Sequence, residues 1–348
     1  MRVVLESGRR VAVHRTTTHA AWFPASRGAE ERVVVLCHAA PGAGIFDPDP
    51  AETRARNVRL LSVDRPGYGG SDPIAAGAWA TVGSAADDLA AVLDSLHVAQ
   101  VGVAGWSAGG RVALALAARR PDLVDRVVVV GTPAPDAEVP WIAREQRDEL
   151  ERLRALAPEV AHAELGERLR SVVPEDPHSP EALWLLGAGS ADEAALRADG
   201  VRLRLGEMLE AAFVQDVRGL AADIAGYCLQ PWGFEPGAVR AKTLLLYGSR
   251  DALADPRHGR WWQSRLPDAR LEVAPGAGHL LLIPRWATAL SHLVPDRTQL
   301  HLAEGPLVGP DQKRVPGSAR RPLPSWASAH EGPRSETDTD DVEEFSAA

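Results

Sequence analysis

Short apolar runs alternate with amphipathic stretches along most of the chain. Several runs of four to six apolar residues end at turn-forming residues, among them "RVVVLC", "VRLLSV", "VGVAGW", "RVVVV" and "TLLLYG". Runs of this kind are typical of strands that are buried on both faces of a parallel sheet. A hairpin of "RVVLE" and "RVAVHR", joined through Ser7, Gly8 and Arg9, is predicted before them.

Helical spacing occupies the intervals between the apolar runs. Residues 84–97 predict a helix with leucine and valine on one face and Ser84 as its N-cap. The stretch after Ser107 predicts an Ala/Leu helix that ends at Pro121, and residues 258–266 and 285–293 predict later helices. The alternation predicts the α/β fold class, with a doubly wound, mostly parallel sheet.

The alternation stops between residues 136 and 238, where long charged amphipathic patterns occur without strand-like runs. We interpret residues 136–238 as a helical cap that is inserted into a core of residues 1–135 and 239–302. A separate helical domain is the alternative, but the strand pattern that returns after residue 238 favours an insertion. Residues 303–348 are rich in Pro, Gly, Ser and charge, and are predicted to be a disordered tail because they offer few apolar side chains to bury.

Charge and cysteine content narrow the functional class. The chain carries 38 basic and 47 acidic side chains without a basic cluster, so neither nucleic acid nor a membrane surface is an expected partner. Cys37 and Cys228 have no metal-ligand spacing, and Cys37 is expected in the core. No stretch resembles a membrane span or a signal peptide. We therefore predict a cytoplasmic protein that requires no metal and no organic cofactor.

The stretch "AGWSAGG" places Ser107 between Gly105 and Gly109, where an apolar run passes into a helical pattern. A G-x-S-x-G sequence in this setting is typical of a nucleophile elbow, a sharp turn that exposes the serine hydroxyl. Glycines allow strand and helix to approach closely, and the helix directs its N-terminal dipole toward the serine. The alternatives are a serine that only caps the helix and a nucleotide-binding loop, although the segment matches neither G-x-G-x-x-G nor a P-loop.

A nucleophilic serine needs a base and an orienting acid, which are expected in the order Ser, Asp/Glu, His. Asp251 directly follows the run "TLLLYGSR", and His279 lies in the loop "PGAGH" after the next short strand. Both are therefore predicted at the sheet edge that carries Ser107. Rival candidates for the two roles are Asp136, Asp255, His258 and His292. We favour Asp251 because it lies closest to a strand end, and we expect the two rival histidines at the surface or in packing.

Acyl chemistry at a serine also requires two N–H donors for a tetrahedral oxyanion. The backbone N–H of Ala108 is the expected first donor. The loop "CHAAPG" after the first central strand is expected to supply the second donor from Ala40, with His38 shaping the loop.

Other notable side chains are first interpreted as packing residues. We expect Asp64 and Arg65 of "DRPGYGGSD" to brace the neighbouring loop rather than contact substrate, and Trp106 to pack beneath the elbow. Aromatic residues of the predicted cap are either pocket walls or cap core: Trp141, Trp184, Phe213 and Trp232.

The motifs "HAAPG", "DRPGYGGSD", "GWSAGG", "GSRD" and "PGAGH" occur in this order within residues 30–300. Together they resemble the serine-nucleophile branch of the α/β-hydrolase superfamily. The resemblance implies Ser107 as nucleophile, His279 as base, Asp251 as acid, and the Ala40 and Ala108 amides as oxyanion hole. Serine at the elbow disfavours haloalkane dehalogenases and epoxide hydrolases, which carry aspartate there. Proline iminopeptidases usually have two glycines after the loop histidine, whereas this chain has two alanines.

The predicted function is the hydrolysis of a small-molecule ester or a related acyl bond through an acyl-enzyme. The same residues would also serve a C–C bond hydrolase, an acyltransferase or a proline-iminopeptidase-like enzyme. A non-catalytic ligand-binding protein of this fold, and an interaction protein that uses the acidic tail, are further alternatives.

Overall fold

The computed structural model describes residues 1–16 and 32–295. The predicted tail, residues 303–348, lies outside the described residues. The strands are β1 (Arg2–Val4), β2 (Arg10–Thr16), β3 (Arg32–Cys37), β4 (Val58–Val63), β5 (Val101–Trp106), β6 (Val124–Val130), β7 (Val214–Val217), β8 (Lys242–Gly248) and β9 (Ala269–Ala274).

The α-helices of the described residues are α1 (Pro50–Ala55), α2 (Val82–Ser95), α3 (Ala108–Arg119), α4 (Arg144–Arg154), α5 (Pro158–Leu169), α6 (Glu193–Leu196), α7 (Val201–Ala212), α8 (Arg218–Ile224), α9 (Pro256–Arg265) and α10 (Trp286–Leu293). Shorter helical turns lie at Arg170–Val172, Ala182–Leu186, Ser190–Asp192, Ala225–Leu229, Pro236–Ala238 and His279–Leu282. None of the helices in this part of the chain has the length and apolar character needed to cross a membrane.

Eight of the strands form one sheet in the order β1-β2-β4-β3-β5-β6-β8-β9. The predicted hairpin pairs β1 with β2, and β2 runs antiparallel to β4, whereas the remaining neighbours are parallel. The register sets Cys37 beside Gly105, and Gly105 beside Val129. The carboxyl ends of β3, β5 and β6 therefore meet at one edge, and the predicted mostly parallel sheet is confirmed.

Two apolar layers cover the sheet, and β3 shows how its residues are divided between them. Val35 and Cys37 pack with helices α2 and α3 on one face, while Val34 and Leu36 pack with α10 on the other. Because both faces are covered, the central strands are continuously apolar rather than alternating. Cys37 is buried, as predicted.

Helix α2 begins before the predicted residue 84. Thr81 is its N-cap, and the Thr81 Oγ1 atom accepts a hydrogen bond from the Ser84 N–H at 3.0 Å. The prediction of Ser84 as the cap is therefore wrong by one turn. A threonine in extended backbone satisfies the free N–H groups of the first turn as well as a serine does, so composition alone does not separate the two positions.

Between β6 and β8 the chain forms helices α4 to α8, as the amphipathic patterns predict. The expectation of no strand in this segment is wrong, since β7 (Val214–Val217) lies there outside the eight-stranded sheet. Its two valines are β-branched and favour extended backbone. The Gln215 side-chain amide between them donates to the carbonyl oxygens of Gly69 at 2.9 Å and Ser71 at 2.7 Å.

Replacing Thr81 with alanine should lower the free energy of unfolding by about 1 kcal/mol, because the Ser84 N–H in the first turn of α2 loses the Thr81 Oγ1 acceptor. Ser84→Ala is the matched control and should change stability by less than about 0.5 kcal/mol. Urea unfolding followed by circular dichroism measures both. A larger loss for Ser84→Ala than for Thr81→Ala would restore Ser84 as the cap.

Candidate active site

Ser107 occupies the turn between β5 and α3, with φ 53° and ψ −122°. A positive φ is uncommon for a residue with a Cβ atom and costs free energy unless its surroundings impose it. Three backbone hydrogen bonds hold Ser107 in this conformation. The Ser107 N–H donates to the Val130 oxygen at 2.8 Å, and the backbone carbonyl oxygen of Ser107 accepts from Thr132 Oγ1 at 2.7 Å and the Gly110 N–H at 3.1 Å. The Ser107 side chain remains partly exposed at the sheet edge.

The glycines on either side of Ser107 permit backbone contacts that a side chain would prevent. A Cβ atom on Gly105 would lie 2.4 Å from the Gly110 Cα atom, and one on Gly109 would lie 2.1 Å from the Cys37 oxygen. The start of α3 is therefore packed directly against the end of β3. This contact brings the loop that carries Ala40 close to the first turn of α3.

Three side chains from separate loops form a hydrogen-bonded series at this edge. The His279 Nε2 atom lies 2.9 Å from Ser107 Oγ, and its Nδ1 atom lies 2.8 Å from the Asp251 Oδ2 atom. His279 and Asp251 are almost completely buried. Because the carboxylate accepts from Nδ1–H, Nε2 is free to accept the serine proton. A histidine held in this way can accept the proton of a serine hydroxyl.

Each member of the series is itself held in place. The second carboxylate oxygen of Asp251 accepts the N–H groups of Leu253 and Ala254, both at 2.9 Å. The indole N–H of Trp106 donates to the His279 carbonyl oxygen at 3.0 Å. Trp106 is fully buried beneath the turn of Ser107, as predicted, and its indole also holds the backbone of His279.

The segment between β6 and β8 adds two contacts that the sequence did not reveal, one to His279 and one to the neighbouring Leu280. Gly187, at φ +72°, packs so closely on the imidazole that a Cβ atom there would lie 3.0 Å from His279 Cδ2. The buried Asp192 carboxylate accepts the Leu280 N–H at 2.9 Å and the Gly189 N–H at 3.0 Å. This segment therefore holds the His279 loop in place.

The predicted oxyanion donors lie on either side of the β3–α3 contact. Ala108 is the first residue of α3, so its N–H has no acceptor within the helix. Burial and the nearby Arg65 guanidinium hold the pKa of His38 well below its ordinary value, so the imidazole is neutral. Its Nδ1–H donates to the Ala39 oxygen at 2.7 Å, immediately before Ala40.

The loop-bracing contacts predicted for Asp64 and Arg65 are present. Arg65 donates from Nη1 to the His38 oxygen at 2.7 Å and from Nη2 to the Ala39 oxygen at 2.8 Å. The Asp64 carboxylate accepts the Gly44 N–H at 2.7 Å. The "DRPGYGGSD" motif therefore supports the loop after β3.

The rival acids and histidines have structural contacts of their own. Asp255 is the N-cap of α9, and Asp136 accepts the N–H groups of Trp141 and Ile142. His258 is buried and accepts the Ala134 N–H, and His292 contacts the Lys242 oxygen at 2.9 Å. All four side chains therefore have structural contacts within the fold.

The four aromatic residues singled out in the segment of residues 136–238 (the insert) have different surroundings. Phe213 is half-buried and packs against the apolar cluster of Tyr68, Ala212 and Leu220, whereas Trp232 stacks on Trp262 of the core at 5.6 Å. Trp141 is 38% exposed and Trp184 is 71% exposed. Trp184 fits neither the interpretation as a wall of the substrate pocket nor that as part of the cap core. Its helical turn buries Ala182, Leu183 and Leu186 and leaves Trp184 on the outer side.

Neither cysteine is positioned as a nucleophile. Burial raises the pKa of Cys37 to about 12, so it stays a thiol. Burial also raises the pKa of Cys228. Among the described residues, no group of three His, Cys, Asp or Glu side chains is arranged to hold a metal ion.

Comparisons with known proteins bear on the family and the fold. A sequence model of the α/β hydrolase fold matches residues 32–285. A pimeloyl-[acyl-carrier protein] methyl ester esterase of Chromobacterium violaceum is 30% identical over 240 residues, which is 66% of this chain and 80% of that protein. A 2-hydroxy-6-oxononadienedioate/2-hydroxy-6-oxononatrienedioate hydrolase of Cupriavidus pinatubonensis is 26% identical, over 72% of this chain and 80% of that protein.

A solved structure shows the same fold. The thermophilic esterase of Thermogutta terrifontis superposes with a TM-score of 0.61 at 22% identity, covering 88% of this chain and all of that chain. The predicted fold class is thereby confirmed.

Gly109→Ala should destabilise the protein although alanine is the better helix former by about 1 kcal/mol. The added Cβ atom would meet a backbone oxygen at 2.1 Å, and overpacking of this kind costs about 1–3 kcal/mol or more. Gly237→Ala is the control, since nothing lies within 4 Å of its Cβ position. Chemical denaturation of both variants should show a loss for Gly109→Ala alone; a stabilised Gly109→Ala protein would contradict the close contact of β3 and α3.

Proposed function

The chain belongs to the α/β-hydrolase-fold family, and we propose that within this family it is a serine hydrolase that cleaves a small-molecule ester or a related acyl bond. The observation that carries the proposal is the series of contacts from Ser107 Oγ through His279 to Asp251, at 2.9 Å and 2.8 Å. No metal or organic cofactor enters the proposed reaction.

In the acylation half of the proposed reaction, His279 Nε2 removes the Ser107 hydroxyl proton while Oγ bonds to the substrate carbonyl carbon. The carbonyl π electrons move to oxygen, and the N–H groups of Ala40 and Ala108 stabilise the resulting oxyanion. Asp251 stabilises the imidazolium. As the carbonyl re-forms, the bond to the leaving alkoxide breaks and His279 protonates that oxygen, which yields the alcohol and an acyl-enzyme.

Deacylation repeats these steps with water as the nucleophile. His279 removes a proton from water while the water oxygen bonds to the acyl carbon, and the oxyanion forms in the same place. When it collapses, the bond to Ser107 Oγ breaks and His279 returns the proton to Ser107. The products are the carboxylic acid and the free enzyme.

We propose that residues 136–238 roof the substrate site as a helical cap. Gly187 and Asp192 lie against the loop of His279. Phe213 and Ala40 both pack against the cluster of Tyr68, Ala212 and Leu220. These apolar neighbours favour a neutral acyl or alkyl group. The name of the Chromobacterium violaceum relative, a methyl ester esterase, supports an ester over the C–C bond suggested by the second relative's name.

Ser107→Ala should lower kcat/KM for nitrophenyl esters by about 10⁴-fold or more, because the nucleophile is lost. Asp251→Asn should lower it by about 10³–10⁴-fold, because an amide no longer selects the required imidazole tautomer. Asp255→Asn is the matched control and should stay within about twofold, since Asp255 caps α9 and pairs with Arg257, outside the Ser107–His279–Asp251 series. Steady-state kinetics on esters of graded acyl length measures all three and defines the preferred acyl group.

A wild-type protein that neither hydrolyses the ester panel nor reacts with a fluorophosphonate probe would support the ligand-binding alternative instead. Product analysis in water with added alcohol separates hydrolysis from acyl transfer. Peptide, lactone and diketone panels test the peptidase and C–C hydrolase alternatives.

A further inference from the structure

A buried ion pair joins the insert to the loop that follows β4. Arg65 Nε lies 3.0 Å from the Asp223 Oδ1 atom, and Nη2 lies 2.6 Å from Oδ2. The side chains of Arg65 and Asp223 are 3% and 7% exposed. Two-point contact of this kind fixes the plane of the guanidinium as well as its position.

Helix α8 is seated so that Asp223 reaches Arg65. A Cβ atom on Gly67 would lie 2.9 Å from the Gly219 nitrogen, and one on Gly219 would lie 2.5 Å from the Tyr68 ring. The first turn of α8 therefore rests directly on the "RPGYG" loop, and Asp223 follows Gly219 by one helical turn on the same face.

The remaining donors of the same guanidinium hold the loop after β3. Nη1 donates to the His38 oxygen at 2.7 Å, and Nη2 donates to the Ala39 oxygen at 2.8 Å. The His38 Nδ1–H also donates to the Ala39 oxygen, at 2.7 Å. Two donors therefore converge on a single carbonyl oxygen, and one of them is cationic.

The Ala39 oxygen and the Ala40 N–H belong to one peptide unit. That peptide is trans. In a planar trans peptide the C=O and N–H groups point in opposite directions, so fixing the oxygen fixes the direction of the N–H. Donors on the oxygen also polarise the amide and strengthen its N–H as a donor.

We propose that Asp223 is a positioning residue of the oxyanion hole, which it controls through Arg65 and the Ala39–Ala40 peptide. The insert then contributes to transition-state stabilisation as well as roofing the substrate site. Without the carboxylate, the Arg65 guanidinium is free to rotate away from the Ala39 oxygen, and the Ala40 N–H loses its fixed direction. This inference rests on the proposed function, because it presupposes that an oxyanion forms beside Ala40.

The test compares two inhibitors that differ in whether they form that oxyanion. With an alkyl trifluoromethyl ketone, Ser107 Oγ bonds to the carbonyl carbon, the serine proton moves to His279, and the carbonyl electron pair becomes an oxyanion. The matching alkyl methyl ketone binds without this addition. Inhibition constants for both ketones, together with kcat/KM for a nitrophenyl ester, are measured on wild type, Asp223→Asn and Asp148→Asn.

Asp223→Asn should weaken binding of the trifluoromethyl ketone by about 10–100-fold, which is less than the effect of removing an oxyanion donor altogether. It should lower kcat/KM by a similar factor and leave methyl ketone affinity within about twofold. Asp148→Asn, an exposed Asp on α4 of the insert, is the control and should change none of the three values. In an Arg65→Met background, Asp223→Asn should add no further loss, because Asp223 acts through Arg65.

Equal weakening of both ketones by Asp223→Asn, or of neither, would overturn the proposal. So would an undiminished Asp223→Asn effect in the Arg65→Met background. If Asp223→Asn does not fold, Asp223→Glu replaces it, because this variant keeps the negative charge but displaces it. Binding of the trifluoromethyl ketone to Asp223→Glu must then weaken more than binding of the methyl ketone. A wild-type protein that binds both ketones equally and hydrolyses no ester would instead remove the proposed function itself.

Discussion

The left-handed backbone at Ser107 is the constraint on which the rest of the site depends. A φ of 53° at a residue with a Cβ atom is worth about 1–3 kcal/mol of strain, and the surrounding sheet imposes it through the bonds from Val130 and Thr132. The same turn places Ser107 Oγ at the edge where strands β8 and β9 end. Asp251 and His279 reach the serine from the loops that follow these two strands.

Burial gives the site its rigidity. His279 and Asp251 are enclosed in a region where a misplaced polar group has little access to water, so each must keep the partner it has. The insert adds two buried carboxylates to this arrangement: Asp192 accepts the Leu280 N–H beside His279, and Asp223 pairs with Arg65. In the account proposed above, the same segment that shapes the substrate pocket also keeps the reacting groups in register.

Much of this arrangement could be predicted because its signals are local. A glycine-flanked serine between a strand and a helix, and an acid and a histidine after later strands, are set by chain order and sheet topology. Asp192, Asp223 and Gly187 carry no such signal, since their partners lie far along the chain and their segment has no strand register. Trp184 illustrates the same limit. Amphipathic spacing predicts a buried aromatic residue, but the short helical turn buries its other apolar side chains and leaves Trp184 exposed.

In the proposed reaction, Ser107, His279 and the amides of Ala40 and Ala108 converge on one reacting carbonyl. A crystal structure of the protein after reaction with a fluorophosphonate would reveal this convergence, because the phosphorus takes the place of the tetrahedral carbon. We expect a single adduct on Ser107 Oγ, with the phosphoryl oxygen within hydrogen-bond distance of both amides. An adduct on another residue, or a phosphoryl oxygen directed away from both amides, would contradict it.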